Sequence, residues 1–296
     1  MIVLISPFVI LLSCCLFLFF LYKRKWMISG LLLCVVAVLN VYTELFALGG
    51  FSKETKPDIK VMCFNVHLLD DTTRLRCLEI YGTIKQEDCD FVYLTEYYGT
   101  ANDSLLDWLS KIYPYYDVSN RWGANVGDVF FSKWNIDSIA LVIPKLSGGN
   151  VYRVQVSDKQ DTLAIYCCHL YSNILGQSES LMGGIKKGYE ERAQEADILY
   201  DALTHEKYPA IVMGDMNDIS GSYTLRRIES AGLTDAWWKG GFGYGTTYHD
   251  HGLRLRLDHI LYDEDRLQLT NVKVIDTDAS DHNALSAGFK LKIFSV

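Results

Sequence analysis

The first 48 residues carry only four charged side chains, Lys23, Arg24, Lys25 and Glu44. Two unbroken apolar runs flank the basic trio, Ile2 to Tyr22 and Trp26 to about Leu48. Each holds about 20 residues, the length at which an α-helix crosses the hydrocarbon core of a bilayer. A helix apolar on every face does not suit the surface of a soluble domain. A cleaved signal peptide carries its positive residues ahead of the apolar stretch, whereas here they follow the first run. The order therefore predicts a hairpin of two transmembrane helices over residues 1–48. Short basic loops stay on the cytoplasmic side. The loop Tyr22–Trp26 then faces inward and all that follows the second run faces outward. In a bacterium this is the periplasmic side of the inner (cytoplasmic) membrane.

Residues 49–57 are polar, with Gly, Ser, Lys and Pro, and read as a linker. Residues 58–296 read as one domain. Of the chain's 28 basic and 36 acidic residues only the four named above precede residue 50, so the remainder carries 25 and 35, a net charge of −10. Such a domain receives no general electrostatic help in binding a polyanion. A bound divalent cation would reverse the field locally. The eight cysteines show no C-x-x-C or Cys/His zinc spacing. Cys77 and Cys89 are the one pair to consider for a disulfide; the rest read as small apolar packing residues.

Along the domain, apolar strand patterns alternate with helical ones. Strands are predicted at Ile59–Val66, Phe91–Thr95, Asp128–Ser132, Ser138–Ile143, Val151–Val156, Thr162–His169 and Ala210–Met213. Helices are predicted at Thr73–Glu87, Leu105–Ile112 and Glu190–Leu203. Several strands follow one another without a helix between them. That argues for a mixed α/β domain with hairpins over a strict βαβ winding.

Polar groups able to bind metal or phosphate cluster at five places, read as the C-terminal ends of apolar strands, where open α/β sheets put their ligands. They are Asn65 in Cys-Phe-Asn-Val, Glu96 in Leu-Thr-Glu, His169 in Cys-Cys-His-Leu, Asp215 and Asn217 in Gly-Asp-Met-Asn-Asp, and the C-terminal pair Arg-Leu-Asp258-His and Ser-Asp281-His282. Any one alone is an ordinary turn, cap or structural histidine. All five in one domain and in this order are a different matter. His249-Asp250-His251 also alternates, but no third metal ligand stands at a matching spacing.

The ordered set resembles the endonuclease/exonuclease/phosphatase superfamily. The resemblance spans roughly residues 58–296 and extends to Arg192, Ser222-Tyr-Thr224, Asp235-Ala-Trp and Thr246-Thr-Tyr248. It implies a four-layer α/β sandwich: two mixed β-sheets face to face, helices outside, and the site where strands of both sheets end.

The residue types suit phosphoester hydrolysis. Mg²⁺, with Mn²⁺ as its alternative, takes oxygen ligands and often only one or two carboxylates. Glu96 is the leading ligand, with Asn65 as amide-oxygen partner or support and Asp281 completing the site. Asp215 would orient or deprotonate the attacking water, and Asn217 would hold a phosphoryl oxygen. Asp258 would fix the tautomer of His282 and raise its pKa. His169 is a second donor to the phosphate. Which histidine or aspartate is the base stays open. The substrate is a phosphoester of nucleic acid, lipid head group or small phosphate, and the membrane is a partner through the N-terminal helices. The competing reading is a membrane-tethered binding protein that keeps the fold without catalysis.

Overall fold

The computed structural model describes residues 2–49, 55–67, 74–98, 104–120, 126–143, 150–172, 181–250 and 252–292. It opens with two helices lying against each other, α1 (Ile2–Tyr22) and α2 (Trp26–Thr43). Among the residues whose side chains are described, Trp26–Thr43 is the one helix long and apolar enough to cross a membrane; in α1 those residues form the apolar stretch Val9–Tyr22. Of the two expected spans, one thus meets the criterion.

A two-residue strand β1 (Ala47–Leu48) leads into the domain. There follow β2 (Ile59–Asn65), α3 (Arg74–Glu87), β3 (Phe91–Tyr98), α4 (Ser104–Leu109), β4 (Tyr115–Asn120), β5 (Val126–Ser132), β6 (Asn135–Ile143), β7 (Asn150–Ser157) and β8 (Thr162–His169). Then come α5 (Leu181–Thr204), β9 (Ala210–Asp215), α6 (Tyr223–Glu229), β10 (Leu233–Asp235), α7 (Ala236–Gly240) and β11 (Phe242–Gly243). Last are β12 (Tyr248–Asp250), β13 (Leu253–Leu255), β14 (Asp258–Asp263), β15 (Leu267–Ile275) and β16 (Ala284–Leu291).

Two six-stranded sheets result, ordered β10-β14-β9-β8-β7-β6 and β15-β16-β2-β3-β5-β4. Both are mixed, with one parallel pair each, β8–β9 and β2–β3. The central strands bury both faces, so their side chains divide by parity. Val61 and Cys63 of β2 meet Ile165, Cys167, Ile211 and Met213 between the sheets. Met62 and Phe64 turn the other way, onto Ile80, Ile84, Leu105 and Leu109 of α3 and α4. Ala164, Tyr166 and Val212 do the same against Ala196 and Leu199 of α5 and Leu225 of α6. This is the four-layer sandwich that the resemblance implied. All eight cysteines are free thiols, so Cys77 and Cys89 form no disulfide.

The segment after α2 departs from the expected organisation. The helix stops at Thr43, short of the end of the apolar run, because Glu44 turns into a left-handed conformation (φ 50°). The chain then docks on the domain. Thr43, Leu45 and Ala47 are buried, and β1 pairs antiparallel with β11, Ala47 opposite Gly243 and Leu48 opposite Phe242. The Asn40 side chain clasps the backbone of Phe46, donating to its carbonyl at 2.9 Å and accepting from its N–H at 2.8 Å. The Arg226 guanidinium stacks 4.1 Å over the Tyr42 ring and donates to the Tyr42 carbonyl.

Two carboxyl groups meet at this junction. Burial, and then the charges of Glu44 and Asp235, push the Glu229 carboxyl up to about 8. Burial raises Glu44 as well. An acid whose folded pKa is raised keeps a proton that the released chain loses above its ordinary value of 4.5. Docking should therefore weaken as pH rises from about 4.5 to 8. Hydrogen exchange at residues 44–48 measured from pH 5 to 8.5, corrected for intrinsic rates, should show protection falling as pH rises, and Glu229→Gln should flatten the trend.

Candidate active site

Strand register builds the site. Asp215, the last residue of β9, lies directly across from His169, the last of β8, and from Asp258, the first of β14. Three ionisable side chains thus stand abreast at one level of one sheet. The close approach of β8 and β9 needs Gly214: at its φ of 137° a Cβ would lie 1.9 Å from the Cys168 carbonyl oxygen. The facing sheet adds Asn65 at the end of β2 and Glu96 on β3. The β3–β5 register shifts between Leu94 and Tyr97, and Glu96 sits inside this irregularity with a left-handed backbone (φ 53°). Such a conformation is uncommon for a residue with a side chain and tends to mark functional positions. His67 (φ 41°) and Asn217 (φ 51°) share it at the same site.

The Asn65 carboxamide joins the sheets, its nitrogen donating at 3.1 Å to both Glu96 Oε1 and Asp215 Oδ2. Its oxygen accepts the His67 N–H at 3.1 Å. The His67 ring nitrogen Nδ1 stands 3.2 Å from Glu96 Oε2 and 3.8 Å from Asp281 Oδ1. His169 turns Nδ1 to Asp128 Oδ1 at 3.2 Å and Nε2 toward Glu96 Oε1 at 3.8 Å. His282 turns Nδ1 to Asp258 Oδ2 at 2.7 Å and Nε2 toward Asp215 Oδ2 at 3.9 Å. Asn217 donates its N–H to Asp215 Oδ1 at 2.8 Å and its side-chain amide to the Leu170 carbonyl at 3.0 Å. The Tyr248 ring packs edge-on against His282, with centroids 5.1 Å apart.

The electrostatics follow from burial and neighbours. Burial alone would lower His282, but the carboxylates of Asp258, Asp215 and Asp281 raise it to about 10. It is therefore an imidazolium at neutral pH. Asp215 is raised by burial and by the Asp258 charge, against the opposing charges of His282 and His169. Glu96 goes the other way: burial would raise it, but His67, His169 and Asn65 bring it down to about 2. Two trios, Glu96–His169–Asp215 and Asp215–Asp258–His282, hold their ligand atoms within 4.8 Å of one another, close enough to share a cation.

The family model for the Endonuclease/Exonuclease/phosphatase family matches residues 62–282, from β2 through His282. The chain belongs to this family. Among solved structures it is similar to the 3'-5' exonuclease NExo from Neisseria meningitidis, at 18% identity over 78% of this chain and 100% of that one, TM-score 0.61. A humanized TDP2 from D. rerio matches at 16% identity over 78% and 98%, TM-score 0.61. Beta toxin from Staphylococcus aureus matches at 16% identity over 78% and 99%, TM-score 0.59. No curated protein sequence matches the chain.

In this family member every candidate site residue lies in or beside one cluster. Two features differ from the sequence reading. Asp258 opens β14 and Asp281-His282 precede β16, so neither motif ends a strand. Both strands run antiparallel to their neighbours β9 and β2, and their beginnings therefore lie where β9 and β2 finish. Asp128 was missed as the partner of His169. Its signal was present: a carboxylate amid Val129, Phe130 and Phe131 is costly to bury without a partner. As for the alternating histidines, the His249 N–H donates to the Asp281 carbonyl at 2.8 Å, and His251 lies outside the described residues.

Two buried arginines brace the loops. Arg192 of α5 reaches Asp218 at 3.3 Å and the Tyr171 carbonyl at 3.0 Å, while Thr224 bonds Asp218 at 2.8 Å. Arg256 pairs with Asp235 at 2.6 Å and also bonds Ser220; His259 meets Asp235 at 2.9 Å. Burial would raise the Asp235 carboxyl, but Arg256 and His259 hold it well below the usual range. Removing one partner of a fully buried ion pair costs about 3–5 kcal/mol. Arg256→Met should lose about that much stability in equilibrium denaturation, and Asp235→Asn added to it should restore part of the loss.

Proposed function

We propose that this chain is a membrane-anchored, metal-dependent phosphoesterase that hydrolyses phosphoester bonds by attack of an activated water. One observation carries the reading: two buried Asp–His pairs, a low-pKa glutamate and a carboxamide converge on Asp215 at the shared end of two sheets. Membership of a family that contains nucleases and phosphatases supports it.

The donor set fits a hard divalent cation. Oxygens of Glu96 and Asp281 converge on one position, the ring nitrogen of His67, and oxygen donors of this kind suit Mg²⁺ or Mn²⁺. Glu96 and Asp281 would hold the ion. Asn65, whose amide nitrogen faces Glu96, would keep that carboxylate in place. A cation held there would supply charge neutralisation to the reacting phosphoester.

The remaining steps belong to the chain. Asp215, its carboxyl raised by burial, accepts the proton of the attacking water as the water oxygen bonds to phosphorus and the ester P–O bond breaks. The released alkoxide takes a proton from solvent. Proton acceptance suits a base with elevated pKa. His282, an imidazolium held by Asp258, donates to a phosphoryl oxygen. His169, turned by Asp128, donates to another. Asn217 is fixed beside them as a further contact. The basic loop at Lys23–Lys25 supports placing the domain on the periplasmic side.

Turnover of a generic aryl phosphodiester tests the reading. It should proceed with Mg²⁺ and stop with EDTA; equal rates under both conditions would exclude a metal-dependent mechanism. Glu96→Gln keeps one oxygen but removes the charge, and should shift the Mg²⁺ midpoint to higher concentration. An unchanged midpoint would remove Glu96 as principal ligand.

His282→Ala should lose about 10²–10⁴-fold in turnover, the usual range for acid–base help. Asp258→Asn should also impair turnover, yet the double variant should be little worse than His282→Ala. Residues that act as one unit are strongly non-additive. If the two losses multiply while circular dichroism shows all four proteins folded, the pair acts independently and the dyad assignment fails.

A further inference from the structure

The junction between α2 and the domain holds apolar side chains that the described residues of the domain leave exposed in large part, although the Phe46 ring also packs on Tyr244 with centroids 5.9 Å apart. On the inward face of residues 45–48, Leu45 and Ala47 are buried. On the outward face Phe46 is 42%, Leu48 73% and the paired Phe242 74% exposed. The two Asn40–Phe46 hydrogen bonds set the depth of this face. Asn40 lies within the last turn of α2, so Phe46 sits level with the end of the apolar helix rather than beyond it. A helix that spans the bilayer therefore carries Phe46 into the interfacial layer. The backbones of Leu48 and Phe242 pair with each other, so lipid contact there leaves fewer peptide groups without a partner.

Two chain paths tie this face to the catalytic cluster. Phe242 is six residues from Tyr248, whose ring packs on His282. Thr43 touches Gly221, where a Cβ would lie 2.9 Å from the Thr43 carbonyl oxygen, and Gly221 is six residues from Asp215. Six extended residues span at most about 22 Å, so the cluster stays close to the end of the membrane helix by both routes. With a net charge of −10 beyond residue 50, the domain gains nothing from an anionic surface; this contact is apolar.

We infer that the outward face of Phe46, Leu48 and Phe242 enters the bilayer interface and holds the catalytic cleft beside the head groups, so that the site acts on phosphoesters carried by bilayer lipids. The inference rests on the hydrolase and anchor readings above. It makes the segment after α2 a fixed bracket instead of a tether.

The full chain in phosphatidylcholine nanodiscs tests it. A photoreactive benzoylphenylalanine in place of Phe242 or Leu48 should form lipid adducts on irradiation, and one in place of exposed Lys111 should form none. Chain present in discs without adducts at 242 and 48 would overturn the membrane face while leaving the anchor intact. Failure to enter discs would remove the anchor and this inference with it. Leu48→Glu with Phe242→Glu should lower cleavage of the disc phospholipid at least tenfold and leave the aryl phosphodiester rate unchanged. Equal loss on both substrates would overturn the role of the surface. A wild-type chain that cleaves the aryl ester but not the lipid would overturn the substrate class, and one that cleaves neither would sink the hydrolase reading itself.

Discussion

The Asp215 carboxylate is enclosed on nearly every side and has to be neutralised by neighbours from both sheets. Asn65 reaches it from β2, His282 approaches from the segment before β16, and the Asn217 N–H closes from its own loop. A lone buried charge would be too costly to keep. Met as a network, the same charge ties the two sheets together at the end where the site lies. Each member has a second partner: Asn65 holds Glu96, His282 holds Asp258 and Asn217 holds the Leu170 carbonyl, while His169, across from Asp215 in the sheet, holds Asp128. The cluster is therefore as much a structural clasp between the layers as a set of chemical groups.

The cationic side chains are used differently. Arg192 and Arg256 are fully buried and bound to Asp218 and Asp235; Asp218 follows Asn217 in sequence, and Arg256 lies two residues before Asp258. Arg76 reaches across to the Ala279 and His67 carbonyls at 2.6 and 3.2 Å, tying the segment before Asp281 to the end of β2. These arginines hold backbone and carboxylates in place. In the proposed reaction, charge on the phosphoryl group is met by histidines and by a bound cation, a division of labour that lets an acidic domain handle an anionic group.

In the proposed reading the junction with α2 links the candidate site to the membrane. Tyr42, Thr43 and Ala47 meet α6, Gly221 and β11, elements that adjoin Asn217 on one side and Tyr248 on the other. Burial of Leu45 and Ala47 is ordinary apolar packing, worth about 25 cal/mol per Å² removed from water. The raised Glu229 carboxyl opposes that packing as pH rises.

Local information settled much of this protein. Strand patterns with both faces apolar, as in Val61-Met-Cys-Phe, read as strands covered on two sides, while the four layers came from the family resemblance. The order of Asn65, Glu96, His169, Asp215 and His282 along the chain marked the site. Gly214 and the turn-forming residues after it marked where β9 ends. Tertiary structure alone decided the rest. That Asp258 faces Asp215 depends on the pairing of β14 with β9, strands more than 40 residues apart, and a shift of one residue would turn every side chain to the other face. The pairing of Asp128 with His169 and the docking of residues 43–48 are likewise contacts between distant segments. Periodicity reports the local conformation of a chain and which face is apolar; it carries no term for the partner that covers that face.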